Sequence, residues 1–206
     1  MTVSDTRRHD PLEEARSGPL AVVALAASAG GPNALGIVLA GLGGMDAGIL
    51  VVQHIQSQFV EGFVEWMRRA SALPVCVATD GSPVERGVVY IGPPDVHLKL
   101  GYGMRIRLDP EPPATHRPSA NELFRSLATS APKRAVGVVL TGMGDDGALG
   151  LLELRQHGGA TIVQDEHSSA IYGMPRAAAL LDAADAILPL DEIAPAILRA
   201  VKSRRR

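Results

Sequence analysis

The sequence contains a single cysteine, Cys76, among 206 residues. One thiol excludes an intrachain disulfide and any metal site built from several thiolates. Cys76 lies in the apolar segment LPVCVAT, where we expect a buried thiol that packs as a small hydrophobic side chain. The sequence therefore gives Cys76 no catalytic role.

Aromatic residues are scarce, at 3% of the chain, and the net charge at pH 7 is −2. Binding to nucleic acid requires basic side chains for the phosphates and, for single strands, aromatic rings on which bases stack. We therefore expect no nucleic-acid partner.

No apolar run is long enough to cross a bilayer, and the first 18 residues lack the apolar stretch of a secretory signal. We expect a cytoplasmic chain without membrane insertion. Residues 1–18 are predicted to be a flexible polar leader, residues 19–200 a single folded domain, and residues 201–206 a basic C-terminal end.

Short continuous apolar runs alternate with segments of helical period, beginning with LAVVALAA and PNALGIVLAGL. Such runs are typical of parallel strands buried on both faces, so the sequence predicts an α/β fold with a doubly wound, mostly parallel sheet and helices on both faces. Short β-rich segments near residues 86–108 predict an antiparallel β-hairpin or meander inserted at the sheet edge, giving a mixed sheet. Pro118 and Ser119 are predicted to begin the next helix.

Ligands in open α/β sheets bind beyond the carboxyl ends of the strands, so the residues that follow the apolar runs are the candidates for chemistry. They are Ser28, His54, the pair Asp145 and Asp146, and the pair Asp165 and Glu166. A hydroxyl, an imidazole and a carboxylate at one edge are the groups of a nucleophilic serine hydrolase. The residue pattern alone does not choose between Asp145 and Asp146.

Two glycines, Gly30 and Gly31, follow Ser28 closely. Bare backbone at the amino end of a helix leaves N–H groups that can hold an oxyanion. Taken singly, Ser28 and Asp146 are more often helix caps, and His54 is more often an ordinary histidine at the sheet edge. Their joint placement on strand ends favours catalysis.

A glycine-rich turn between strand and helix can also bind pyrophosphate. The segment ASAGG does not contain G-x-G-x-x-G, and the second predicted strand ends in Gln53 and His54 rather than in an acid that would hold a ribose. No metal site is predicted either, because His97 and His116 lack ligand spacing. We expect no cofactor.

Six motifs in order resemble the catalytic domain of the chemotaxis protein-glutamate methylesterase (CheB) family over roughly residues 20–198. They are ASAGGP, VVQHI, YIGPPDVHL, HRPS, VVLTGMGDDGALG and YGMPR. The resemblance implies hydrolysis of γ-glutamyl methyl esters on the cytoplasmic helices of methyl-accepting chemoreceptors, with release of methanol. It also allows deamidation of receptor glutamine.

The resemblance carries the roles of a catalytic triad over to Ser28 as nucleophile, His54 as base and Asp146 as the acid, which resolves the choice left open above. It also implies the backbone N–H of Met143 as an oxyanion donor, in addition to the bare backbone at Gly30 inferred above.

Arg117 in HRPS and Arg176 in YGMPR are predicted to help dock a substrate surface rich in carboxylates. Ala29 stands where the family often has threonine, and Asn121 where it often has an acid. We expect activity to survive both departures, whereas the substrate preference can differ from that of the family.

The family usually has a receiver domain before the esterase, whereas only about 18 polar residues precede it here. We therefore expect no phosphorylation control within the chain, and regulation by a separate protein. The alternative to an enzyme is a non-catalytic receptor- or kinase-binding module with the same fold. The intact set of serine, histidine and aspartate favours the enzyme.

Overall fold

The computed structural model describes residues 18–204, so most of the predicted leader and the last two residues lie outside the described part. The strands of this part are β1 (Ala21–Ala27), β2 (Ala47–Gln53), β3 (Val75–Val77), β4 (Val89–Ile91), β5 (His97–Gly101), β6 (Arg105–Asp109), β7 (Ala135–Val139), β8 (Ala160–Gln164) and β9 (Ala186–Leu188). The α-helices are α1 (Gly31–Ala40), α2 (Val60–Ala70), α3 (Ala120–Ser130), α4 (Ala148–Gln156), α5 (Met174–Leu180) and α6 (Leu190–Ser203). Between residues 18 and 204, no helix is long and apolar enough to cross a membrane.

Seven strands form one sheet in the order β3, β4, β2, β1, β7, β8, β9, and every neighbouring pair is parallel. All residues of β1 and β2 are buried, as their continuous apolar sequences require. Alternate residues of β1 enter two cores, with Val23 packed among α1, α2 and α6 and Val22 packed among α3, α4 and α5. The predicted doubly wound α/β fold is confirmed.

The segment near residues 86–108 departs from its prediction in one respect. The hairpin of β5 and β6 is antiparallel, as expected, but it forms a separate sheet and does not extend the main one. Strand β4, from the same segment, runs parallel between β2 and β3. The expectation of a mixed sheet is therefore wrong. All three residues of Val89–Ile91 are buried, and strands buried on both faces are typical of parallel sheets covered by helices on each side.

Strand register places the candidate residues at one edge. Ala27 lies opposite Gln53 in β2, and the amide of His54 donates to the carbonyl of Ala27 at 3.0 Å. On the other side of β1, the amide of Ser28 donates to the carbonyl of Thr141 at 3.0 Å. The ends of β1, β2 and β7 therefore meet beside Ser28.

Candidate active site

The structure joins His54 and Asp146, which are 92 positions apart in the chain. His54 Nε2 lies 2.8 Å from Asp146 Oδ2, and only 7% and 11% of the two side chains are exposed. A hydrogen bond in such a dry environment is strengthened by the low local dielectric. The other ring nitrogen, His54 Nδ1, is buried and has no hydrogen-bond partner among residues 18–204.

The start of α3 surrounds the Asp146 carboxylate with donors. Oδ1 accepts from the Ser119 hydroxyl at 2.8 Å and from the Asn121 amide at 3.0 Å, while Oδ2 also accepts from the Ala120 amide at 2.7 Å. Burial by itself would raise the pKa of Asp146, but the bonds from His54 and from these donors outweigh it and lower the pKa to about 2. Asp146 is therefore ionised at neutral pH.

Ser28 lies half-buried at the end of β1, and its backbone is held on both sides. Its carbonyl accepts from the Gly31 amide at 2.8 Å and from Gln53 Nε2 at 2.9 Å. Gln53 Nε2 also donates to the carbonyl of His54 at 2.9 Å, so one buried amide ties the serine to the histidine. The Ser28 hydroxyl itself takes part in none of the hydrogen bonds found between residues 18 and 204.

The two glycines after Ser28 are required for different reasons. Gly30 has φ of +77°, a left-handed conformation that glycine adopts without strain, at the residue before α1. A Cβ on Gly31 would lie 2.1 Å from Gln53 Oε1. Gly31 therefore leaves space for the side-chain amide that joins Ser28 to His54.

The loop after β7 approaches Ser28 equally closely. A Cβ on Gly142 would lie 2.8 Å from Ser28 Cβ, and the amides of Gly173 and Met174 hold the Gly142 carbonyl at 3.0 and 2.9 Å. The next residue, Met143, is 74% exposed. Its amide N–H takes part in none of the hydrogen bonds of the described chain, which leaves it available as a donor.

His116 is a site residue that the sequence interpretation missed. Its ring stacks on that of His54, with centroids 4.1 Å apart and an angle of 14° between planes. Burial and, secondarily, repulsion from His54 lower the pKa of His116. The motif HRPS, which begins with His116, was part of the resemblance and could have pointed to this residue. Only the fold shows that its ring lies on His54.

A cleft of about 420 Å³ opens beside His54. It is lined by His54, Ile55, Gln56, Asp95, Ala114, Thr115, His116, Arg117 and Pro118. Arg117, one of the two predicted docking residues, therefore lies at the cleft and is exposed. Arg176, the other, is exposed on α5 and does not line the cleft.

The remaining candidate acids form no hydrogen bond with the imidazole in the described chain. Asp145 is exposed and forms no hydrogen bond with His54. Asp165 accepts instead from the amide and hydroxyl of Ser168, at 2.9 and 2.6 Å. Cys76, expected to be buried, is half-buried on the edge strand β3, where burial raises the pKa of its thiol.

Comparison with known proteins matches most of the chain to one family. Residues 23–197 match the family model described as CheB methylesterase. The chain is 30% identical to the crystal structure of the Thermotoga maritima CheB methylesterase catalytic domain, with a TM-score of 0.84, covering 88% of this chain and 98% of that one.

Two curated relatives are named protein-glutamate methylesterase/protein-glutamine glutaminase. One, from Burkholderia lata, is 47% identical over 182 residues, or 87% of this chain and 54% of the relative. The other, from Anaeromyxobacter dehalogenans, is 46% identical over 184 residues, or 89% of this chain and 54% of the relative. The chain thus spans about half the length of these relatives. From the family model and the shared fold, the chain belongs to the CheB methylesterase family.

Proposed function

We propose that the chain is a protein-glutamate methylesterase that hydrolyses γ-glutamyl methyl esters on chemoreceptor helices in the cytoplasm. The observation that carries the proposal is the buried pair of His54 and Asp146, which lies one strand away from Ser28. The family membership and the names of the curated relatives support the same reaction.

The contacts of His54 indicate which nitrogen acts as the base. Ionised Asp146 can only accept a hydrogen bond, so His54 Nε2 carries the proton and donates it. In a neutral imidazole the other nitrogen then holds the lone pair. Nδ1 of His54 is therefore the general base, and Asp146 stabilises the imidazolium that forms when Nδ1 takes a proton.

In the first half of the reaction, Ser28 Oγ attacks the γ-carbonyl carbon of the ester while His54 Nδ1 takes the hydroxyl proton. The carbonyl π bond breaks, and its electron pair forms a tetrahedral oxyanion. When this intermediate collapses, the bond to the methoxy group breaks and methanol leaves with the proton from Nδ1. The product is a glutamyl ester of Ser28.

Water repeats the sequence in the second half. It attacks the acyl carbon and gives a proton to His54 Nδ1, and the bond between carbon and Ser28 Oγ then breaks. Oγ regains the proton, and a free γ-carboxyl group is released. Deamidation of glutamine follows the same steps with ammonia in place of methanol, so we propose it as a second activity of the site.

The oxyanion needs backbone donors near Ser28. The Met143 amide is the candidate from the β7 loop, because the neighbouring Gly142 lies against Ser28 and the amide itself is not engaged. Gly30, at the start of α1, supplies bare backbone on the other side. Arg117 at the cleft is assigned to docking through the carboxylates of the substrate surface.

The test is methanol release from a methylated chemoreceptor cytoplasmic fragment. The wild-type chain is expected to release methanol, and Ser28→Ala to release it at least about 10⁴-fold more slowly. The control is Ser57→Ala, which removes an exposed hydroxyl outside the cleft lining and leaves the rate unchanged. Equal rates for wild type and Ser28→Ala would contradict the proposal.

The alternative of a non-catalytic receptor- or kinase-binding module is not favoured. The curated relatives carry enzyme names, and a module that only binds does not require a buried imidazole joined to an ionised carboxylate. Receptor binding without methanol or ammonia release by the wild-type chain would favour the module instead.

A further inference from the structure

A second histidine, His97, is buried behind the candidate site and takes no part in the proposed reaction. It begins β5, is 0% exposed, and uses both ring nitrogens. Nδ1 accepts from the Ser119 amide at 3.1 Å, and Nε2 lies 2.8 Å from the Pro112 carbonyl oxygen. Because Nδ1 accepts, the ring carries its proton on Nε2, which donates to Pro112.

The two partners of His97 mark the ends of one segment, residues 112–119. This segment supplies His116, which stacks on His54, and Arg117, which lines the cleft. Residues 112–117 of this segment are exposed, so most of it has few packing contacts to hold it. The buried imidazole therefore ties both ends of a largely exposed segment to the hairpin.

Ser119 connects His97 to the carboxylate of the candidate triad. Its amide donates to His97, and its hydroxyl donates to Asp146 Oδ1 at 2.8 Å. The amide of Ala120, which follows it, donates to Asp146 Oδ2. Any shift of Ser119 therefore moves donors of the carboxylate that bonds to His54.

We propose that His97 is a positioning residue for the methylesterase reaction, which acts through Ser119 on Asp146 and His54. This proposal rests on the proposed function. His97 itself touches neither the substrate nor the reacting atoms. Its role is to fix Ser119, so that the donors at the start of α3 converge on the carboxylate and the imidazole keeps its orientation.

Two substitutions of His97 each keep one of the two hydrogen bonds of its ring and remove the other. The Oδ1 atom of asparagine is as many bonds from Cα as His97 Nδ1, so His97→Asn keeps an acceptor for the Ser119 amide and loses the donor to Pro112. The Nε2 atom of glutamine matches the imidazole Nε2 in the same way, so His97→Gln keeps the donor to Pro112 and loses the acceptor for Ser119.

We expect His97→Gln to lower kcat for methanol release by about 10- to 100-fold, because small displacements of catalytic groups have effects of this size. His97→Asn is expected to retain kcat within about threefold. KM for the receptor fragment should change less than kcat in His97→Gln. Rates are referred to the folded fraction, measured by circular dichroism. Equal kcat values for the two folded variants would overturn the proposal, because a merely structural histidine would not distinguish the two bonds.

Ser119→Ala provides an independent test if His97→Gln does not fold. It removes the hydroxyl bond to Asp146 and leaves the backbone bond to His97, so kcat should fall about tenfold or more. A wild-type kcat in this variant would overturn the proposal.

The matched control is Ser126→Ala. The Ser126 hydroxyl accepts from the Leu100 amide at 2.8 Å and so joins the same strand to the same helix, away from Asp146. Its loss should lower stability without changing kcat. A Ser126→Ala variant that lost as much kcat as His97→Gln would overturn the proposal, whereas a wild-type chain that releases no methanol would contradict the proposed function instead.

Discussion

The candidate site has two halves: around the Asp146 carboxylate it is crowded with hydrogen-bond donors, whereas around the Ser28 hydroxyl it offers no hydrogen-bond partner from the described chain. Asp146 is 9% exposed and accepts bonds from an imidazole, a hydroxyl and two amides. The Ser28 hydroxyl has no such bond in the described chain, and Ala29 and Gly30 beside it are small and exposed.

The difference follows from when the charge is present. Asp146 is ionised in the resting protein, and a buried charge is costly unless donors surround it at all times. In the proposed reaction, negative charge near Ser28 arises only when the tetrahedral intermediate forms. The ester group of the substrate, whose carbonyl oxygen carries that charge, must first fit against the serine. One half therefore requires permanent donors, and the other requires space.

The largest expected effect is on the rate of methanol release, which substitutions in either half should lower equally, whereas their effects on the free energy of unfolding should differ. Ser28→Ala and Asp146→Asn should each lower the rate of methanol release by about 10⁴-fold. Ser28→Ala should change the free energy of unfolding by no more than about 0.5 kcal/mol, since it removes a half-buried, unbonded hydroxyl. Asp146→Asn should lower it by about 3 kcal/mol, because the new amide group cannot accept from all of the donors. Urea unfolding and methanol release measure the two quantities.

Asp145→Asn is the control for the acid, because Asp145 is exposed and makes no bond to His54. It should unfold at the wild-type urea concentration and keep the wild-type rate. Equal losses of stability in Ser28→Ala and Asp146→Asn would contradict the contrast between the two halves.

A methyl group at Gly31 tests whether the space beside Ser28 is needed. Gly31→Ala would press on the buried Gln53 amide, which holds Ser28 and His54 together, so we expect a loss of up to about 3 kcal/mol and lower activity. Gly62→Ala, inside α2, meets nothing within 4 Å and should instead stabilise the protein by about 0.5–1 kcal/mol. Thermal unfolding of both variants measures the contrast, and a stabilised Gly31→Ala would contradict it.

The lowered pKa of Asp146 predicts how stability depends on acid. A carboxyl whose pKa is lower in the folded than in the unfolded state contributes stability above the unfolded pKa, here 3.8, and this contribution is lost as the pH falls towards 2. The shift corresponds to about 2 kcal/mol. The difference in free energy of unfolding between wild type and Asp146→Asn should therefore be smaller at pH 2 than at pH 6. A difference that stays constant would show that these donors do not favour the ionised form.

How much the sequence could predict differs between the same two halves. The parallel sheet, and the placement of Ser28 and His54 after its strands, followed from continuous apolar runs and the rule that ligands bind at strand ends. The choice of Asp146 over Asp145 did not, because both follow the same strand and only the start of α3 provides donors to one of them. The residue pattern contains no signal for that contact, and the resemblance supplied the choice.

The segment 112–119 was the least predictable part of the site. The stacking of His116 on His54 and the bonds of His97 to its two ends join residues 15 to 62 positions apart, on loops without a periodic pattern. The separate hairpin was mistaken for part of the sheet for a related reason: its alternating pattern predicts strands but does not predict which sheet they join.

The smallest expected effect concerns the cleft beside the Asp146 half. Arg117 is exposed there, so its contacts with substrate carboxylates compete with water and salt, and Arg117→Ala should raise KM for the methylated receptor fragment by about two- to fivefold at low ionic strength with kcat unchanged. Arg176→Ala is the matched control, because this exposed arginine does not line the cleft, and its KM should remain at the wild-type value. If Arg176→Ala raised KM and Arg117→Ala did not, the substrate would approach Ser28 from the α5 side, and the segment 112–119 would serve the carboxylate alone.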